Sequence, residues 1–225
     1  MDREILIIVD PMCSWCWGFS PVVRALDESY SDRFPIYPIV GGLRPLTSDP
    51  MNDRAKEEIK QHWKNVNEVS GQPFDFSFFD RSSFIYDTEP ACRALVTVRF
   101  LKPKCSLNFL EILHQAFYAE NRDITDAKVL TSLAVAVGVE QSDFKEFFPT
   151  RKMIYLTASD FFRSQSMGVS GFPTIILRAN EKLSLLSAGY QPFSEIKPKI
   201  DLWLEDKAET EIKYTPNEKS ENKSI

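Results

Sequence analysis

Cys13-Ser14-Trp15-Cys16 sets two thiols three residues apart, directly after a short apolar run. At that spacing on a helix, both sulfurs lie on one face. They can close a disulfide, or attack one sulfur in turn. The run Glu4-Ile5-Leu6-Ile7-Ile8-Val9 holds no turn former and reads as a buried strand. Asp10-Pro11-Met12 breaks it. Val22, Val23, Leu26 and Tyr30 then recur at mostly helical spacing, which predicts a helix over Trp17 to Tyr30 with the cysteines at its mouth. A thiol there meets unpaired N–H groups and the positive end of the macrodipole. Both favour thiolate, the nucleophilic form. Cys13 is therefore expected to be accessible and to attack. Cys16, one turn further in, is expected to be shielded and to resolve the mixed disulfide.

The second motif is Gly168-Val169-Ser170-Gly171-Phe172-Pro173-Thr174. Pro173 directly precedes an apolar strand, and an X–Pro bond tolerates cis. In a thioredoxin-type fold such a proline stands beside the cysteine pair. The backbone of the residue before it, here Phe172, can pair with a bound substrate. Trp15, Trp17 and Phe172 are candidates for an apolar substrate rim, and Arg44 for an anion contact. Phe19 is read as packing.

Zinc would need four ligands, commonly from paired cysteines or histidines. Cys92 and Cys105 lack that spacing, and His62 and His114 are isolated, so no metal site is expected. A helix predicted over Pro90 to Leu101 separates the two cysteines. At ~1.5 Å per residue it holds them beyond the ~7 Å that a disulfide allows. They are expected to be free, buried packing residues.

These groups need elements to hold them. Phe34 to Val40 reads as a second strand, with Pro35 and Pro38 marking a partly unpaired side. Gly41-Gly42-Leu43-Arg44-Pro45 turns the chain out. From Asn52 to Met167 the pattern is helical throughout. Its apolar stripes include Ile59, Trp63, Val66 and Val69 in one helix, and Ile154, Ala158, Phe161 and Phe162 in another; all are expected in the core. Thr125 or Asp126 caps a helix that ends at Gly138. Thr174–Leu177 and Leu183–Leu186 form an antiparallel hairpin about Asn180. A terminal helix runs from Pro192 to Glu205. The order β-α-β, helical block, β-β-α is an α/β thioredoxin fold interrupted by an all-helical insertion. The expected division is a thioredoxin-fold domain of residues 1–48 and 166–205, and an insertion of 49–165. A charged, flexible tail of 206–225 follows, too poor in apolar residues to fold alone.

Of the 225 residues 43% are hydrophobic and the net charge is −5. No basic patch suggests nucleic acid, and no apolar run approaches the ~20 residues of a membrane span. The stretch Ile5 to Val9 is shorter than the roughly 7–15 apolar residues of a signal peptide. A cytoplasmic location is therefore expected, where cysteines serve catalysis or metals more than structural disulfides.

The residues Asp10 to Phe19, Gly41 to Pro45, Thr88 to Ala94, Tyr118 to Ile124 and Gly168 to Thr174 together resemble the cytoplasmic branch of the DsbA-like thiol–disulfide oxidoreductases. The resemblance spans residues 4 to 205. It implies Cys13 as nucleophile, Cys16 as resolving cysteine and Pro173 as cis-proline. Substrates would be cysteine-containing proteins or small thiols. The redox centre would be the Cys13–Cys16 disulfide itself, with no bound cofactor and with glutathione as a candidate electron donor. Two departures matter. Periplasmic DsbA proteins carry a histidine between the cysteines, whereas Ser14 and Trp15 stand here. They also carry a buried acid at the position of Ile7; Asp10 is the nearest acid. Both changes point to a weaker oxidant, a reductase or isomerase. The runner-up is a glutathione-dependent transferase or isomerase of the related kappa class, typically with a serine at the first position. A third reading is a thioredoxin-fold binding module without catalysis.

Overall fold

The computed structural model describes residues 3–205, so the expectation for the tail falls outside them. Strand β1 (Arg3–Val9) lies inside a four-stranded sheet of order β2-β1-β3-β4. Strand β2 (Ile36–Val40) runs parallel to β1, with Ile5 opposite Ile36 and Val9 opposite Val40. Strands β3 (Thr174–Ala179) and β4 (Lys182–Ala188) form the antiparallel hairpin, and β3 pairs antiparallel with β1. The unbroken apolar run in β1 follows from this place. Ile5, Ile7 and Val9 face the main apolar layer, while Leu6 and Ile8 face a smaller one.

The predicted first helix is two segments. Helix α1 (Ser14–Gly18) has Cys13 as its N-cap, and α2 (Ser20–Tyr30) restarts after Phe19. Pro21, in the first turn of α2, has no N–H to continue the α1 ladder.

Between β2 and β3 lie α3 (Asp53–Ser70), α4 (Glu89–Leu101), α5 (Ser106–His114) with a π-turn over Gln115–Ala119, α6 (Ala127–Ala136), α7 (Gln141–Phe147) and α8 (Arg151–Ser166). Asn52, Asp126 and Thr150 cap α3, α6 and α8 with their side chains. The expectation of helix throughout fails between residues 71 and 88. Gly71 ends α3 in the left-handed region at φ 73°. The chain then makes one 3₁₀ turn, Phe76–Asp80, and a lone bridge between Pro50 and Ile85. Its rings are not helically spaced because they converge on Trp63: Phe74, Phe78 and Phe79 have centroids within 4.8–5.2 Å of it. Four stripe residues also fall outside the core: Val69, Ile154, Ala158 and Phe162 are exposed.

The outer edge of β2 is closed by this helical block. Val40 N–H donates to Asp160 Oδ2 at 3.1 Å, and Arg99 donates to Pro38 O at 2.6 Å while pairing with Asp160 at 2.7 Å. Pro38 has no N–H to satisfy, so the edge offers few free groups to another strand. Helix α9 (Phe193–Glu205) packs on β4 and α2 from the main apolar layer.

Candidate active site

The turn after β1 is organised by the Asp10 carboxylate. Its Oδ1 accepts from Met12 N–H at 2.8 Å, and its Oδ2 accepts from Leu43 N–H at 2.7 Å and from the Cys92 thiol at 3.3 Å. Asp10 O accepts Cys13 N–H at 3.0 Å. The Cys13 carbonyl in turn accepts the N–H groups of Cys16 at 3.0 Å and Trp17 at 3.1 Å, which starts α1. Cys13 has extended φ and ψ and no side-chain cap bond, so its thiol is not tied into α1. It donates across 3.7 Å to Phe172 O. Cys13 keeps 7% exposure and Cys16 only 1%. Cys13 is thus less open than expected, and access to its sulfur is narrow.

The Phe172–Pro173 bond is cis. Gly189 N–H donates to Pro173 O at 2.8 Å and Thr174 Oγ to Gly171 O at 2.8 Å, so the loop is held at both ends. Gly41 makes room for it: a Cβ there would lie 1.9 Å from Phe172 Cε1. The Gly-Gly turn and the proline loop therefore meet, face to ring, beside Cys13.

The rim residues divide. Trp15 is half-buried, its ring 6.1 Å from Tyr190, and Phe172 is half-buried. Ser14 is half-buried at the start of α1. Trp17 corrects the sequence reading. Its indole is buried, donates to Pro73 O at 2.9 Å and stacks on Tyr118 at 6.5 Å, so it packs α1 onto the helical block. Arg44 lies over the Tyr86 ring at 5.5 Å, and Tyr86 O–H donates to Met12 O at 2.8 Å. The Arg44 backbone is pinned by Thr88, whose Oγ accepts its N–H at 3.1 Å.

Two neighbours escaped the sequence reading. Cys92 is buried but contacts Asp10 Oδ2 rather than only apolar groups, while Cys105 is half-buried instead of buried. His62 is exposed, whereas His114 is buried behind the cysteine turn. Its Nδ1 lies 3.1 Å from Ser20 Oγ and its Nε2 3.5 Å from Asp10 O. One tautomer serves both: Ser20 donates to Nδ1, and Nε2–H donates to Asp10 O. The only local hint was spacing, since His114 and Tyr118 fall on one face, as do Thr88 and Cys92.

The electrostatics of the pocket follow from burial. Desolvation pushes the Asp10 carboxyl above its usual range, against the pull of the Leu43 and Met12 N–H groups. Desolvation also pushes the Cys16 thiol well up, helped by the hydrogen bond and charge of Cys13. Burial lowers His114 to about 3, so it is neutral. Cys16 is thus a shielded thiol held toward its protonated form. All four cysteines are free. Among the described residues no cluster of three or more His, Cys, Asp or Glu could hold a metal, and no helix is long and apolar enough to cross a membrane.

The model of the DSBA-like thioredoxin domain matches residues 4–200. A Nitrosomonas europaea structure described as a candidate protein disulfide isomerase is 33% identical, with TM-score 0.85, covering 91% of this chain and 98% of that one. The cytosolic disulfide reductase DsbM from Pseudomonas aeruginosa, also solved with GSH, shares the fold at 22% identity and TM-score 0.74, covering 89% and 98%. Among curated proteins, the ClpXP adapter protein SpxH of Halalkalibacterium halodurans is 23% identical over 77% of this chain. The match spans 58% of that relative, less than two thirds of its length.

Proposed function

The chain belongs to the DSBA-like thioredoxin domain family, and on that premise we propose that it is a thiol–disulfide oxidoreductase working from its dithiol state. The carrying observation is the Cys13 thiol at a helix start, 3.7 Å from Phe172 O, with Cys16 one turn inward and almost fully shielded. The Cys13 thiolate attacks a substrate disulfide, forming a mixed disulfide and releasing one substrate thiolate. The Cys16 thiolate then attacks Cys13 Sγ, releasing the second substrate thiolate and leaving Cys13–Cys16 oxidised. Two equivalents of a small thiol restore the dithiol and leave as its disulfide. The GSH complex of the distant DsbM neighbour favours glutathione in that role. Attack on the mixed disulfide by a second substrate thiolate in place of Cys16 would form a new substrate disulfide, release the Cys13 thiolate and give isomerisation. A cytoplasmic site of action agrees with the reducing direction.

The test is reduction of a protein disulfide coupled to a thiol donor. Activity lost in Cys13→Ser supports the reading; activity unchanged in that variant ends it. A second reading draws on the SpxH relatives, which are ClpXP adapters. An adapter holds its partner through surface rather than sulfur. Partner binding that survives Cys13→Ser with Cys16→Ser, in a protein with no reductase activity, would favour that reading.

A further inference from the structure

Ile154, Ala158 and Phe162, which read as core in the sequence, lie on the outside of α8. The helix is anchored by its other face. Met153, Thr157, Asp160 and Ser164 are its buried residues, at spacings of four, three and four. Opposite them, Arg151, Tyr155, Ala158, Phe162 and Gln165 repeat that alternation, and all five are exposed. Tyr155 keeps 71% exposure and Phe162 74%. Apolar residues alternating at three and four form the seam along which two helices pack. Helix α8 carries two such seams over its 16 residues, about 24 Å of helix. The inner one meets the rest of the molecule, and the outer one faces solvent.

The ionic residues of α8 divide in the same way. Its one carboxylate, Asp160, turns inward, paired with Arg99 at 2.7 Å and accepting the Val40 N–H. Its cations, Arg151, Lys152 and Arg163, flank the outer seam at its two ends, and none has a carboxylate partner among the described residues. Lys152 lies over the ring of Phe100 at 3.9 Å, and Phe100, also exposed, carries the apolar surface onto α4. The face is therefore apolar along its middle and positive at both ends, on a chain whose net charge is −5.

Large apolar side chains exposed together mark an interaction face, and their spacing is that of helix recognition. Charge selects the occupant. A second copy would set cation against cation. Packed antiparallel about Ala158, Arg151 and Lys152 of one chain would meet Arg163 of the other; packed parallel, each cation would meet its own counterpart. Residues 206–225 of the chain itself offer only Ile212, Tyr214 and Ile225 as large apolar side chains, without the three-four alternation. We propose that the outer face of α8 docks an acidic amphipathic helix of a partner protein, whose apolar residues pack between Tyr155 and Phe162 while its carboxylates meet Arg151, Lys152 and Arg163. This docking stands apart from the cysteine chemistry and does not depend on it.

The probe is a labelled helical peptide of about four turns, with Leu at three- and four-residue spacing and Glu beside it; its twin carries Lys in place of Glu. Fluorescence anisotropy of each is titrated with the full chain at about 0.15 M salt. The acidic peptide should saturate and the basic twin should not. Tyr155→Ser and Phe162→Ser, both at exposed positions, should each weaken the acidic peptide about tenfold or more, as loss of an aromatic anchor does, with thermal midpoints held at the wild-type value. Arg151→Glu with Arg163→Glu should reverse the preference between the peptides. Absence of saturable binding by the acidic peptide overturns the proposal, as does equal binding of the twin, or an affinity unchanged in both serine variants. Self-association of the wild type that Phe162→Ser abolishes, read by sedimentation, would give the face to a second copy and overturn it as well.

Discussion

At the residue scale, the exposures of 7% and 1% separate the cysteine roles. A small alkylating reagent should label Cys13 before Cys16, and Cys92, with no exposure, last among these three. Cys16→Ala should accumulate mixed disulfides on Cys13, and Cys13→Ala should form few. Preferential labelling of Cys16, read by mass spectrometry, would reverse the assignment. His114 gives a pH signature. Its folded pKa of about 3 lies below the unfolded 6.5, so the unfolded chain binds one more proton in between. Its contribution is complete above pH 6.5 and is lost as pH falls toward 3, at about 1.4 kcal/mol per pH unit. Asp10 opposes this in part. Its folded pKa is raised, so its own effect grows less stabilising as pH rises from 3.8 through the folded value. His114→Gln should therefore flatten denaturation midpoints between pH 6 and pH 4.5, roughly the upper part of that window. A variant as acid-sensitive as wild type would remove His114 as the cause. Sequence alone could not place His114 or Cys92, because each meets Asp10 from a helix distant in the chain.

At the element scale, the two loops that frame Cys13 depend on each other. Gly41→Ala would drive a methyl into the Phe172 ring, 1.9 Å from Cε1. The ring must move, and with it the Phe172 carbonyl that faces Cys13. The expected cost is about 1–3 kcal/mol of stability, as for overpacked cores, with a larger loss in turnover than in folding. A crystal structure of the variant with Phe172 unmoved would contradict this. The β2 edge carries another dependence. Asp160→Ala strands Arg99 and the Val40 N–H, both turned toward it, and should cost about 3 kcal/mol, the lower end for a broken buried pair. Urea midpoints would show it, and Arg99→Met with Asp160→Leu should recover part of the loss. Strands β1, β2 and β3 were legible because their β-branched runs leave few alternatives, and β4, which has no β-branched residue, was legible from its place after the Asn180 turn. The 71–88 segment was not, because aromatic residues without a period fit a helix stripe or a ring cluster equally well. Only the convergence on Trp63 separates the two.

At the scale of the whole molecule, the helical block is the back wall of the cysteine turn as well as a cap on the sheet. Tyr86, Thr88 and Cys92 reach the turn from one side of the block and His114 from another. The charges they bring decide the redox direction. A strong oxidant needs a reduced form stabilised relative to its disulfide. Here the groups acting on Cys16 are the Cys13 thiol and the Asp10 carboxyl, the Tyr86 phenol acts beside Cys13, and the Arg44 guanidinium lies over Tyr86. Burial and the neighbouring charges disfavour a Cys16 thiolate, so Cys16 adds no electrostatic reward to the reduced pair. Equilibration in glutathione buffers should therefore give a potential well below the ~−120 mV of a strong oxidant, nearer the ~−200 to −270 mV of glutaredoxins and thioredoxin. Arg44→Ala, whose guanidinium lies over the Tyr86 ring, should shift that potential little while weakening the binding of any acidic substrate. A value near ~−120 mV would make the chain a disulfide donor and would mean that contacts other than these charges stabilise its dithiol.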